Sequence, residues 1–296
     1  MKLRPLPIVI FLVLIVVGIS LVVNPKAPAN PYYADVSRPL VIAHQGGDGV
    51  WPGDTLYAFE KAVEIGSDAL EMDAHVTKDG RIVLMHDETV DDTTDGTGPI
   101  EDLTLAQLKE LDAAYEWSND GGKTFPYRGQ GIQVPALDEV FEKFPQMRYV
   151  IEIKLTENPI DKPLCDLIRK FRMEDKVLIA SFHDQAMQNF RATCPEVATS
   201  ASRGEVTKIV LLGKVFLSGF VVPRYQSLQP PYDPKESMNI PIMTERFIHE
   251  AHAKNIRVEP WTVNDPDLMR QYIEWGVDGI ITDRPDLMVE ILSKSE

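Results

Sequence analysis

Cysteine is scarce in this chain: only Cys165 and Cys194 occur in 296 residues. They stand 29 positions apart, without the close spacing of a metal-ligand pair. No His-x-x-x-His run or Cys cluster suggests zinc either. One disulfide or two buried thiols are both open readings, the thiols being the commoner case. Positive charge is also in short supply, with 30 Lys and Arg against 45 Asp and Glu, a net charge of −15. The first 34 residues hold Lys2, Arg4 and Lys26 and no acid, so the rest of the chain is more acidic still. Such a body repels polyanions, which argues against duplex nucleic acid as a partner. A small anionic substrate stays open, because a bound cation would dominate the field near a site.

What is present is an ordinary globular composition, 44% hydrophobic and 25% charged, with enough apolar material for a core without staples. The N-terminus differs. Lys2 and Arg4 precede an apolar run from Ile8 to Val23, a little short for a spanning helix and long for the centre of a signal peptide. An uncleaved membrane anchor is the expectation. Ala27-Pro28-Ala29 resembles a cleavage site, so a signal segment released on secretion is the alternative. Either reading places the body outside the cytoplasm, since the basic residues lead the run. The proline-rich stretch to Ala34 reads as an exposed linker. Residues 1–34 thus form anchor or signal segment plus linker, and residues 35–296 the folded body.

Within the body, short β-rich runs alternate with helical patterns. Candidate strands are Leu40–Ala43, Ala69–Asp73, Tyr149–Ile153, Val177–Ser181, Val197–Ser200, Gly219–Val222, Arg257–Trp261 and Gly279–Thr282. Eight strands with intervening helices predict an α/β fold, a parallel (β/α)₈ TIM barrel. A doubly wound open sheet is the rival. An extra strand, Ile82–His86, follows the turn Thr77-Lys78-Asp79-Gly80 and should return His86 level with Asp73. Residues 87–135 interrupt the rhythm and read as an insertion over one barrel face.

Chemistry concentrates at strand ends. Glu71 and Asp73 are two apart on a strand and share a face, towards the C-terminal end where barrel active sites are built. Glu152 holds the matching place on the next barrel strand. Acids in apolar strands are costly unless paired or metal-bound, and one alone would more often be satisfied by a neighbouring base. Three converging on one barrel mouth suggest an oxygen-rich site for Mg²⁺ or Ca²⁺. His44 ends the first strand ahead of Gly46-Gly47, and His86 should reach the same rim, where two imidazoles can share proton transfer. His75 and His183 are expected near the rim, while Tyr225, Arg224 and Arg284 follow strand ends.

Ala43-His44-Gln45-Gly46-Gly47 with Trp51-Pro52-Gly53-Asp54-Thr55 resembles the signature segment of glycerophosphodiester phosphodiesterases. Leu70-Glu71-Met72-Asp73, His86-Asp87, Glu152-Ile153-Lys154, Pro260-Trp261-Thr262-Val263-Asn264 and Gly279-Ile280-Ile281-Thr282-Asp283 continue the resemblance in order, from about Pro39 to Leu292. It implies a barrel enzyme that hydrolyses glycerophosphodiesters to glycerol 3-phosphate and an alcohol with a divalent cation. It makes His44 and His86 the acid/base pair and Glu71, Asp73 and Glu152 the metal ligands. It also implies that Lys154 and Trp261, with Gln45, line the phosphate and glycerol pocket. The resemblance also implies attack by the glycerol 2-hydroxyl, then opening of the cyclic phosphate by water. Gln45 stands where the family usually carries arginine, and Gly53-Asp54 where it carries Glu-Asn. A lysophospholipase D acting at the membrane is an alternative, with Phe125 and Tyr127 meeting an acyl chain. A non-catalytic phosphodiester-binding barrel is another.

Overall fold

In a computed structural model, residues 5–154, 159–237 and 239–294 are described, with side chains from residue 9 onward. The chain opens with helix α1 (Pro5–Val22). It continues as β1 (Leu40–Ala43), α2 (Leu56–Glu64), β2 (Ala69–Val76), β3 (Ile82–Leu84), α3 (Leu105–Leu108), α4 (Leu137–Lys143) and β4 (Arg148–Ile153). Then follow α5 (Asp161–Phe171), β5 (Val177–Ala180), α6 (Asp184–Thr193), β6 (Ala198–Thr199), α7 (Arg203–Lys214) and β7 (Ser227–Leu228). The last elements are α8 (Glu245–His252), β8 (Arg257–Val258), α9 (Pro266–Trp275), β9 (Gly279–Thr282) and α10 (Pro285–Ser293).

Parallel pairings run in the order β6–β5–β4–β2–β1–β9, and β7 pairs with β8. Backbone hydrogen bonds join the two pieces at both edges. Gln226 N donates to Thr199 O (2.9 Å) and Ala201 N to Ser227 O (2.8 Å) on one side; Asp278 N donates to Val258 O (2.9 Å) and Ile281 N to Pro260 O (3.0 Å) on the other. The result is the expected TIM-barrel-like ring, continuous over one half and laced by short pairings over the other. The hairpin expectation holds: β3 runs antiparallel to β2 with Ala74 opposite Leu84, and Met85 N donates to Asp73 O at 3.0 Å.

The local signals behind these elements are physical ones. Thr55 Oγ1 accepts from Ala58 N to start α2, and Thr104 with Gln107 closes a capping box on α3. Asp265 caps α9, and Gly276 ends it at φ 87°, a conformation that glycine reaches without Cβ strain. Apolar faces of α2, α4, α5 and α6 pack on β2, β4 and β5 around Phe141, Tyr149 and Phe190.

Several expectations are corrected. Gly219–Val222 is no strand; Ser218–Phe220 forms a 3₁₀ turn and the strand lies further on, at Ser227–Leu228. The reason is the neighbour: Gly219 N donates to Ser20 Oγ (3.2 Å), and a Cβ at Gly219 would meet Ser20 O at 1.8 Å. The end of α1 packs against this turn, and Ser227–Leu228 takes the place beside β8. The stretch after α1 is not exposed throughout, because Tyr32 is fully buried among Leu40, Val150, Leu178 and Ala198. Arg148 holds the backbone there by donating from Nε to Tyr32 O (3.0 Å) and from Nη2 to Ala34 O (2.9 Å). Cys165 and Cys194 form a disulfide between α5 and the end of α6, and are not free thiols. Among the described residues no helix is long and apolar enough to cross a membrane, so the spanning part of the N-terminal expectation finds no support.

Candidate active site

Glu71 and Asp73 project from β2 while Glu152, paired in register with Asp73, projects from β4. Oxygen atoms from these three carboxylates all lie within 4.8 Å of one another. Asp73 is 1% exposed and Glu71 5%, so the charges repel with little water between them. Burial and the Asp73 charge push the Glu71 carboxyl up to about 8, and the same two causes push Glu152 up to about 7. Lys154 partly compensates, with Nζ 3.1 Å from Asp73 Oδ1 and 3.3 Å from Glu152 Oε2. Burial alone would lower the ammonium's pKa, but Asp73 and Glu152 outweigh it and hold it above the usual lysine value.

His44 begins a short turn at the end of β1. Its Nδ1 lies 2.6 Å from Asp283 Oδ1, and its Nε2 is 3.9 Å from Glu71 Oε2. Burial would lower this imidazole's pKa, yet Glu71 and Asp283 outweigh it and raise it to about 10. Asp283 is fixed in turn by Asn264, whose Nδ2 donates to Asp283 Oδ2 (2.7 Å) and whose Oδ1 accepts from Asp283 N (2.9 Å) and Thr282 Oγ1 (3.0 Å). The chain His44–Asp283–Asn264 spans the ends of β1, β8 and β9. His86 reaches the same mouth after β3, with Nδ1 2.9 Å from Asp87 Oδ1.

These groups open onto one cavity of about 850 Å³, lined by His44, His86, Glu71, Glu152, Lys154 and Trp261 on its polar side. Trp261 Nε1 donates to Gln229 O (2.7 Å), and its ring meets Phe182 edge-on at 5.4 Å. The opposite wall is apolar: Val206, Val210 and Leu211 of α7, with Ile240 and Ile242.

Gln45, which the resemblance places in the substrate pocket, contacts the carboxylates. Held at φ 52°, it donates from its backbone N to Glu71 Oε2 (2.8 Å) and from Nε2 to Asp73 Oδ2 (3.2 Å). It is buried against Glu71 and Asp73 and is not among the residues lining the cavity. Asp54 sits beside it, also at positive φ, with Oδ1 accepting from Asp73 N (3.3 Å) and buried Oδ2 without a partner. Burial, then Asp73 and Glu71, raise the Asp54 carboxyl well above the usual range.

Other expectations shift. His183 lines the cavity as expected. His75 is buried, not on the rim, and burial lowers its pKa. Tyr225 lies in the core, and Arg284 pairs with Asp286. Phe125 and Tyr127 do not line the cavity: Phe125 stacks on the Arg128 guanidinium at 3.8 Å, and Tyr127 packs between Tyr57 and Trp117. The 87–135 segment has its own small core around Val90, Ile100 and Leu108. Asp283 is a residue of this site that sequence pattern alone does not single out, although its place at the C-terminal end of a barrel strand marks such positions.

A barrel with an acid-rich mouth, two histidines and a substrate-sized cavity defines a hydrolase of the barrel type. The model of the Glycerophosphoryl diester phosphodiesterase family matches residues 44–287, and the chain belongs to that family. It is 30% identical over 262 residues to the glycerophosphodiester phosphodiesterase of Caldanaerobacter subterraneus, covering 87% of this chain and 99% of that one. It is 26% identical to the human lysophospholipase D GDPD1, covering 85% of each. An Oleispira antarctica phosphodiesterase solved with sn-glycerol-3-phosphate shares the fold at TM-score 0.66 and 24% identity, covering 86% of this chain and 97% of that one. The chain is thus a glycerophosphodiester phosphodiesterase, a phosphoric diester hydrolase.

Proposed function

We propose that this enzyme hydrolyses glycerophosphodiesters to glycerol 3-phosphate and an alcohol in a cation-dependent reaction, with His44 and His86 exchanging the protons. The observation that carries the reading is the gathering of Glu71, Asp73 and Glu152 oxygens within 4.8 Å at a mouth flanked by both imidazoles. Three mutually repelling carboxylates fit a divalent cation, which would relieve the charge that pushes Glu71 and Glu152 upward. An all-oxygen donor set suits Mg²⁺ or Ca²⁺ better than a softer ion. When bound, the cation supplies charge neutralisation at the phosphodiester.

The chain's own residues do the rest. Lys154, pinned between Asp73 and Glu152, presents positive charge towards the phosphate. Asp283 fixes the ring of His44 so that Nε2 faces the carboxylates and the cavity. His86, the more exposed of the two, exchanges protons from the other side of the mouth. One histidine takes the proton of the attacking glycerol 2-hydroxyl and the other protonates the departing alkoxide; water then opens the resulting cyclic phosphate to glycerol 3-phosphate, with the two proton transfers reversed. Trp261 offers a flat apolar face to the substrate's carbon skeleton. Gln45 acts as a hydrogen-bond brace for Glu71 and Asp73, a positioning role distinct from phosphate binding.

A second reading, a lysophospholipase D, is favoured by the apolar wall of Val206, Val210, Leu211, Ile240 and Ile242. A small diester leaves that wall unused, whereas a fatty acyl chain would cover it. The disulfide suits an oxidising location outside the cytoplasm, with residues 35–296 as the catalytic unit. The test is turnover of the full chain on glycerophosphocholine and lysophosphatidylcholine, with and without chelator, beside His44→Ala and His86→Ala. Cation-dependent release lost in both variants supports the proposal. Near-normal turnover in either variant refutes it. Val210→Gln should lower kcat/KM for lysophosphatidylcholine about tenfold, leaving the small diester within about twofold, if the wall holds an acyl chain.

A further inference from the structure

Helix α7 and the turn after it carry more exposed apolar surface than the substrate cavity uses. Thr207 and Leu211 face the cavity, and Val215 continues the same stripe at helical spacing. Leu211 is 49% exposed, Val215 53%, Phe216 50%, Phe220 46% and Val222 69%. An apolar wall therefore runs without interruption from inside the active-site cavity to a protruding hydrophobic tip. Surface of this kind marks an interaction site.

The tip adjoins a second apolar surface. The C-terminal end of α1 lies against Gly219, whose N–H donates to Ser20 Oγ. Ser20 is buried in that contact, whereas Val9 to Val16, Ile19 and Leu21 to Val23 remain outside the fold. Apolar side chains cover this helix on every face. A protein partner with one groove would cover one face only; hydrocarbon covers all of them. Charge points the same way. Residues 203–224 contain Arg203, Lys208, Lys214 and Arg224 against the single acid Glu205, in a chain with a net charge of −15. Arg246, 4.9 Å from the Phe216 ring, is paired with Glu250 at 2.7 Å and adds no net charge there. A local basic rim around exposed Phe, Leu and Val is the pattern of a peripheral contact with anionic lipid.

We propose that α7, the Val215–Val222 segment and α1 together form one docking surface for an anionic lipid bilayer, placing the cavity mouth at the membrane. This docking does not depend on which diester the enzyme prefers. Amphiphilic substrate would then slide along the α7 stripe into the cavity without passing through water.

The test uses the full chain carrying Phe216→Cys or Val222→Cys, each labelled with nitrobenzoxadiazole, and Glu142→Cys on α4 as the reference. Cys165 and Cys194 are paired and take no label. Neither tip position lines the cavity, so turnover of glycerophosphocholine reports that each labelled chain is folded. Two independent tip positions keep the test open should one variant misfold. On adding vesicles of phosphatidylcholine with phosphatidylglycerol, both tip probes should shift to the blue. Brominated acyl chains should quench them at least threefold more than the reference. Probes that keep their aqueous emission on saturating vesicles overturn the proposal. A blue shift that grows with protein concentration in the absence of lipid overturns it as well, because the surface would then belong to a second copy of the chain.

Discussion

Replacing Asp283 with asparagine isolates the contribution of the carboxylate behind His44. The change keeps size and shape and removes one charge-assisted hydrogen bond of 2.6 Å. Hydrogen bonds to charged groups contribute about 1.5–3 kcal/mol. Asn264 donates to the other oxygen and can still hold the side chain in place, so the loss falls on the imidazole. About 2–3 kcal/mol lost from the transition state lowers kcat by roughly 30- to 150-fold. KM should change less than about threefold, because Asp283 does not line the cavity. The discriminating assay is a double-mutant cycle on glycerophosphocholine. If Asp283 acts through His44, adding Asp283→Asn to His44→Ala costs almost nothing further. Equal losses in both backgrounds would refute the positioning role and assign Asp283 a structural one.

Other expectations follow from the same geometry. Glu152→Gln removes one of three cation-ligand candidates and should weaken Mn²⁺ binding about 10- to 100-fold by titration calorimetry, with part of the turnover restored by excess cation. Asp278 accepts from Arg257 Nη1 (2.7 Å) and Val258 N (2.8 Å), and its Oδ2 lies 2.7 Å from His252 Nε2. Burial would raise its pKa, but His252, Arg257 and the Val258 amide outweigh it and lower it. Its stabilisation is therefore full above the unfolded carboxylate pKa and is lost as pH falls through the lowered folded value. Asp278→Asn should cost about 2 kcal/mol in urea unfolding at neutral pH, discounted from a fully buried pair because both cationic partners are partly exposed. The loss should shrink in acid. The disulfide closes a loop with separation 29, and Cys165→Ala with Cys194→Ala should lower stability by about 3 kcal/mol in the same assay.

Much of this was legible in the chain, for reasons that differ by residue. Glu71, Asp73 and Glu152 announced themselves because charge inside apolar strands is expensive without a purpose. Alternation placed the first two on one face, and the hairpin turn at Gly80 carried His86 back beside them. Register did the rest, pairing Asp73 with Glu152. The parts that escaped depend on contacts between distant segments. Gly219–Val222 has strand-like composition, but it forms a 3₁₀ turn packed against the end of α1, a contact between residues 199 positions apart. Gln45 reads as a substrate ligand by position, yet with its left-handed backbone it bonds to Glu71 and Asp73. Tyr32 belongs to a proline-rich stretch that local composition marks as exposed, and its burial comes from strand residues distant in sequence, among them Val150, Leu178 and Ala198. The apolar cavity wall comes from α7, an element whose sequence shows amphipathicity but not what its second face meets.

The most direct measurement is anomalous diffraction from crystals of the full chain soaked in Mn²⁺. A peak within coordination distance of Glu71, Asp73 and Glu152, below the imidazoles of His44 and His86, is the predicted result. Full Mn²⁺ occupancy elsewhere, with these three carboxylates holding only water, would contradict it.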